Sequence, residues 1–169
     1  MIFNKKIYIL LTTIIICYFS IIQLFSQNNI NLPSVILKDV KGKTFNTSDI
    51  VNKGNPLIIC FIKTCCSDKN NLLDEIAEDY ENWKTQTKVV LYVISTDDSR
   101  SSCKVAPMAN VKEWNFPILL DINSNFKEKM NVIINPHVFI FDRNGKMVWQ
   151  KAGYVSDEKD EIYEQILKL

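Results

Sequence analysis

Two adjacent cysteines, Cys65 and Cys66, are the residues of this sequence best suited to chemistry. They follow an apolar run at residues 56–62 and precede residues 67–84, whose apolar side chains recur at helical spacing. Cys66 is therefore predicted to lie at a helix start, where unpaired N–H groups and the helix dipole favour an anion. Such sites lower the pKa of a cysteine from about 8.5 to between about 3.5 and 7.5. The sequence predicts a nucleophilic thiolate at Cys66.

Other residues near Cys66 have different expected roles. Lys69, one turn further along the helix, stabilises a thiolate by its positive charge, whereas Asp68 opposes that effect. Cys60 lies in the middle of the apolar run and is predicted to be a small, buried, unreactive side chain. Catalytic roles are therefore assigned to Cys66 and Lys69.

Cys103 is a candidate resolving cysteine. It ends a segment, residues 96–103, that follows a second apolar run at residues 89–95. The carboxyl ends of neighbouring parallel strands lie at the same edge of a sheet, so this segment leaves from the edge where Cys66 is expected. A disulfide from Cys103 to Cys66 or Cys65 requires Cα atoms within about 7 Å, a distance that the sequence does not fix.

The chain alternates predicted strands and helices after residue 32, with turns where glycine and asparagine occur. Strands are predicted at residues 34–38, 56–62, 89–95 and 117–120, with a closing hairpin at 138–142 and 147–151. Helices are predicted at residues 67–84, 104–114, 125–130 and 157–169, with a short one from Thr47 to Gly54. This order predicts a three-layer α/β/α sandwich with a mixed central sheet.

The N-terminal 26 residues are predicted to be a targeting segment outside the fold. Lys5 and Lys6 precede an apolar run at residues 7–22, as in a secretory signal peptide cleaved near residues 26–27. An uncleaved N-terminal membrane anchor is the alternative. A third hypothesis is a lipid anchor at Cys17. The domain is assigned to residues 27–169, and its expected location is periplasmic or otherwise extracytoplasmic.

Composition excludes several classes of protein. The length of 169 residues is typical of one domain, and 47% hydrophobic with 23% charged residues argues against a disordered chain. A net charge of +1 disfavours nucleic-acid binding through a general basic surface. With His137 as the one histidine, a multi-histidine metal site is impossible, and we expect neither metal nor cofactor.

Five segments resemble the extracytoplasmic TlpA/ResA-like thioredoxin family, over about residues 32–169. In order along the chain, they are residues 60–69, 95–100, 117–121, 135–142 and 144–146. The resemblance implies a thioredoxin fold with an N-terminal β-hairpin extension. It also implies thiol–disulfide exchange with partner proteins outside the cytoplasm.

The resemblance also implies roles for individual residues. Cys66 falls on the attacking cysteine of the family's Cys-x-x-Cys motif, whereas Lys69 replaces the second, resolving cysteine. Cys65 replaces an aromatic residue beside the substrate groove. Pro136 falls on the proline that the family holds in the cis form, and Asn135 before it offers backbone hydrogen bonds to a bound peptide.

The missing second cysteine limits the mechanism that this resemblance supports. We expect exchange with protein thiols or disulfides through Cys66 alone, with a membrane electron donor as a further candidate partner. The alternative is a non-catalytic peptide- or protein-binding module on the same scaffold. A peroxidase site is disfavoured because Lys63, not threonine, lies three residues before Cys66.

Overall fold

The computed structural model describes residues 32–50, 52–64, 71–153 and 158–169. Within those ranges the strands are β1 Ile36–Asp39, β2 Thr44–Asn46, β3 Leu57–Ile62, β4 Val90–Ser95, β5 Ile118–Leu120, β6 His137–Phe141 and β7 Met147–Ala152. The α-helices are α1 Asn71–Thr87, α2 Val105–Val111, α3 Asn125–Lys129 and α4 Glu158–Leu167. Two short 3₁₀ turns, Thr47–Asp49 and Ser102–Lys104, complete the described elements.

The strands form one mixed sheet in the order β2-β1-β5-β4-β3-β6-β7. The central strands β5, β4 and β3 are parallel, whereas β6, β7 and the β1–β2 hairpin join antiparallel to their neighbours. The predicted mixed sheet, the N-terminal hairpin and the closing hairpin are therefore confirmed.

Strand β3 is an internal strand of the sheet, between β4 and β6, and is buried on both faces. Its six side chains are each at most 1% exposed, as expected for a continuous apolar run between two layers. Ile58, Cys60 and Ile62 pack on one face with helices α1, α2 and α4. Leu57, Ile59 and Phe61 pack on the other face with α3. Because side chains alternate across a strand, this one run joins both hydrophobic cores.

Two predicted helices are shorter in the structure than the sequence suggested. The segment expected to be helical from Thr47 to Gly54 makes a single 3₁₀ turn, because Ile50 takes an extended conformation and is buried. The residue that caps this turn is Asn46, whose side chain accepts a hydrogen bond from the Ser48 N–H. The helix expected at 104–114 is α2, which ends at Val111.

Residues 1–31, on which the signal-peptide and anchor predictions fall, lie outside the described residues. Among the described helices, none has both the length and the apolar character needed to cross a membrane.

Candidate functional site

The predicted site residues Cys65, Cys66 and Lys69 lie outside the described residues, so the structure reports on their surroundings. Residues 65–70, here called the cysteine segment, connect Thr64, just after β3, to Asn71, the first residue of α1. The carboxyl end of β4 and the amino end of β6 lie beside the end of β3, because both strands pair with β3. These three strand ends frame the candidate site.

A buried carboxylate ties the end of β3 to the end of β4. Asp97, which is 0% exposed, accepts hydrogen bonds from both donors of Thr64, its backbone N–H at 2.9 Å and its hydroxyl at 2.8 Å. The Ser95 hydroxyl donates to the same carboxylate at 2.8 Å. The residue that leads into the cysteine segment is therefore fixed through both its backbone and its side chain.

A second link joins β3, β4 and the loop before β6. The Thr96 N–H and hydroxyl both donate to the Ile62 carbonyl at 2.9 Å. The Asn135 side-chain amide donates to the Thr96 hydroxyl, also at 2.9 Å. Asn135 therefore contacts, through its side chain, the residue that directly follows β4.

The Asn135–Pro136 peptide bond is cis, as the family resemblance implied. His137, the next residue, pairs with Phe61, so the cis bond lies beside the last residues of β3. The Pro136 carbonyl accepts a hydrogen bond of 2.7 Å from Gly153 at the end of β7. The loop carrying this proline is therefore anchored on both sides.

Two exposed isoleucines directly precede the cis bond. Ile133 is 80% exposed and Ile134 is 53% exposed. The loop before the cis bond therefore leaves two adjacent large apolar side chains in water.

His137 is a structural residue of the sheet. Its ring stacks on Phe139 with centroids 4.3 Å apart, and its Nε2 lies 3.3 Å from Gln150 Oε1. Burial lowers the pKa of His137 below its usual value, and the hydrogen bond with Gln150 partly opposes this shift.

Cys103 is exposed on the 3₁₀ turn that precedes α2, and its thiol donates to the Arg100 carbonyl at 3.4 Å. It lines a groove of about 220 Å³ together with Lys38 and Asp39 of β1 and Leu120 of β5. Strand β5 is separated from β3 by β4, which corresponds to about 10 Å across the sheet. The assignment of Cys103 as a resolving cysteine stays a prediction.

Cys60 is buried in β3 with no exposed surface, which confirms the prediction of a structural role. Burial raises the pKa of its thiol to about 12.

We expect iodoacetamide to leave Cys60 unmodified in the folded protein at neutral pH while Cys103 is alkylated, as measured by peptide mass spectrometry. Unfolding in guanidinium is the control, since both thiols should then react at similar rates. Equal labelling of the two thiols in the folded protein would contradict this expectation.

No role was predicted for Thr64, Thr96 or Asp97, which position the strand ends around the site. Thr96 and Asp97 lie in the segment 95–100 that contributed to the family resemblance, and this was the available signal. Their partners are 33 to 39 residues away along the chain, so only the fold brings them together.

Comparison with known proteins agrees with this architecture. A model of the AhpC/TSA family matches residues 29–150, well over half of the chain. ResA of Bacillus subtilis, which is named a thiol-disulfide oxidoreductase, is 25% identical over 138 residues, covering 80% of this chain and 73% of ResA.

Solved structures give the same result. A thioredoxin-like protein from Porphyromonas gingivalis superposes with a TM-score of 0.74 at 38% identity, covering 83% of this chain and 92% of that chain. StoA from Bacillus subtilis has a TM-score of 0.59 at 19% identity, covering 80% of this chain and 98% of that chain, and shows likeness of fold alone.

The sheet order, the flanking helices and these superpositions define a thioredoxin fold. The chain belongs to the AhpC/TSA family, and its relatives include thiol-disulfide oxidoreductases of the ResA type.

Proposed function

We propose that this protein exchanges thiols and disulfides with partner proteins through Cys66 as its single nucleophile. The observation that best supports the proposal is the cis Asn135–Pro136 bond, held beside the end of β3 by the link from Asn135 to Thr96. The cysteine segment begins three residues after Ile62, to which Thr96 is also bonded. We call residues 133–136 the proline loop. A partner chain lying along this loop would therefore pass close to the start of the cysteine segment.

The proposed exchange has two balanced steps. The Cys66 thiolate attacks one sulfur of a partner disulfide, which forms a mixed disulfide and releases the second partner sulfur as a thiolate. A second thiolate, from the partner or from a small thiol, then attacks the partner sulfur of the mixed disulfide. Cys66 leaves as a thiolate, and the number of disulfides is unchanged.

Lys69 and the backbone of Asn135 have supporting roles in this proposal. The positive charge of Lys69 stabilises the thiolate before attack and again when Cys66 leaves. The Asn135 backbone hydrogen-bonds an extended partner segment, with Pro136 packing beside it and Cys65 at the edge of the groove. Cys103, if it resolves the mixed disulfide, must approach from the β5 side of the site.

Location is a further part of the proposal. Residues 1–26 direct the domain out of the cytoplasm, either as a cleaved signal peptide or as an anchor that keeps the domain at the membrane. In an extracytoplasmic compartment disulfides persist, so partners with disulfides are available. A membrane electron donor would serve such a domain as a source of reducing thiols.

A direct test traps the mixed disulfide. The protein is incubated with a disulfide-containing protein such as insulin, quenched with acid, digested and analysed by mass spectrometry. The proposal predicts a cross-linked peptide containing Cys66. A mixture cross-linked only through Cys103, or not at all, would reject it.

We expect the exposed isoleucines to contribute to partner binding. Replacing both Ile133 and Ile134 with serine should slow mixed-disulfide formation with a protein substrate about tenfold, because each substitution removes apolar surface that the partner would cover. Exchange with a small disulfide, which does not reach these side chains, should be unchanged.

The matched control for this prediction is Val111→Ser on α2, since Val111 is 84% exposed and does not lie in the proline loop. Equal slowing by the control variant, or equal slowing of the small disulfide, would show that the isoleucines are not a partner surface.

The second candidate function is a binding module that has lost turnover. It is favoured by one observation, the lysine at position 69 where the family motif has its second cysteine. In that case the proline loop still binds an extended partner segment, while Cys66 contributes no thiolate.

A further inference from the structure

We propose that Asp97 is a positioning residue for Cys66, acting through Thr64. This inference rests on the proposed function and extends it to a residue that is not itself part of the reacting groups. Thr64 is two residues before Cys66 in the chain, and both of its hydrogen-bond donors point to the Asp97 carboxylate.

The burial of Asp97 requires an explanation. A carboxylate with no exposed surface destabilises a fold unless its oxygens are fully hydrogen-bonded. Among the described residues, no lysine or arginine forms an ion pair with Asp97. Its donors are instead two hydroxyls and one backbone N–H, all at the carboxyl ends of β3 and β4.

Both oxygens of the Asp97 carboxylate accept hydrogen bonds. Thr64 uses one oxygen for its hydroxyl and the other for its N–H, and Ser95 shares the second oxygen. Replacing Asp97 with alanine would remove both acceptor oxygens and leave the Thr64 N–H and the two hydroxyls without this partner. The pairing of β3 with β4 is already made by the backbone from Leu57 to Ile62. The carboxylate therefore adds a fixed position for Thr64 rather than strand pairing.

The expected consequence concerns the geometry of Cys66. A residue anchored through both N–H and side chain gives the following segment a defined starting point and direction. Loss of that anchor is expected to displace Cys66 from its predicted position at the helix start, and small displacements of reacting groups cost large factors in rate.

The test compares the alkylation of Cys66 and Cys103 in the same molecule. Iodoacetamide is added to the full chain at one neutral pH, and the ratio of the two rate constants is obtained by peptide mass spectrometry. Thr64→Val removes the hydroxyl at nearly constant shape, whereas Thr64→Ser retains it. We expect Thr64→Val and Asp97→Ala to lower the ratio about tenfold and Thr64→Ser to stay within about twofold of the wild type.

Thr47→Val is the matched control, because Thr47 is a second buried threonine whose hydroxyl donates a hydrogen bond, here to the Pro33 carbonyl, away from the cysteine segment. It should lower the midpoint of thermal unfolding without changing the ratio. A folded Thr64→Val protein with an unchanged ratio would overturn the proposal, as would equal effects of Thr64→Val and Thr64→Ser. If Asp97→Ala fails to fold, the pair of Thr64 variants decides.

The outcome also separates this inference from the proposed function. A ratio that depends on the Thr64 hydroxyl, without any mixed disulfide in the wild type, would retain the positioning role and reject the exchange function. If a mixed disulfide forms but the ratio does not depend on the Thr64 hydroxyl, the exchange function is retained and the positioning role is rejected.

Discussion

Replacing Cys66 with serine is expected to reduce mixed-disulfide formation to the background of the uncatalysed reaction. The serine hydroxyl is not ionised at neutral pH and does not attack a disulfide, and no adjacent cysteine has the same predicted position at the helix start. The measurement is the rate at which a disulfide-containing protein becomes cross-linked to the variant under identical conditions.

The controls for this variant are the other cysteines of the site region. Cys65→Ser and Cys103→Ser should each retain most of the initial cross-linking rate, since neither supplies the attacking sulfur. A slower release of the trapped intermediate in Cys103→Ser alone would identify Cys103 as the resolving thiol. Full activity of the Cys66→Ser protein would show that another thiol is the nucleophile.

The Lys69→Cys substitution is expected to convert a slow exchange protein into a reductase with rapid turnover. It restores a second thiol three residues after Cys66, so that release of the partner becomes an intramolecular step. Intramolecular thiols act at high effective concentration, and we expect insulin reduction with excess dithiol to accelerate at least about a hundredfold.

Two control variants distinguish the new thiol from the loss of the lysine. Lys69→Ser removes the positive charge without adding a thiol and should slow alkylation of Cys66 rather than accelerate turnover. The double variant Lys69→Cys with Cys66→Ser should be inactive. If Lys69→Cys gains no turnover while Cys66 remains reactive, release of the partner is not the slow step.

The sequence predicted the central strands well because their signal is local. Strands β3 and β4 are continuous apolar runs, and burial on both faces requires that composition. The burial of Cys60 followed from its place in such a run. The prediction of a helix reaching Gly54 was wrong because tertiary packing decides where this helix ends. Ile50 enters the core in an extended conformation.

The surroundings of the site were less accessible to sequence reasoning. Pro136 and Asn135 were found through the order of motifs, and the cis bond at that position is confirmed. The side-chain contact from Asn135 to Thr96 and the two contacts from Thr64 to Asp97 join residues that are far apart in the chain. No local sequence pattern marks such pairs, because only the folded chain brings the three strand ends together.

The choice between exchange and simple binding depends on the ionisation of one thiol. A binding module requires the proline loop and its anchors, and the variants at Ile133 and Ile134 would impair it in the same way. It does not require a thiolate at neutral pH. The state of Cys66 is therefore the property that separates the two functions.

The most direct measurement is the rate of Cys66 alkylation by iodoacetamide as a function of pH, in the wild type, followed by mass spectrometry of the peptide. A cysteine at a helix start with Lys69 beside it should show a midpoint well below the value of about 8.5 for an ordinary thiol. A midpoint at or above about 8.5, together with no mixed disulfide, would contradict the assignment of Cys66 as the nucleophile.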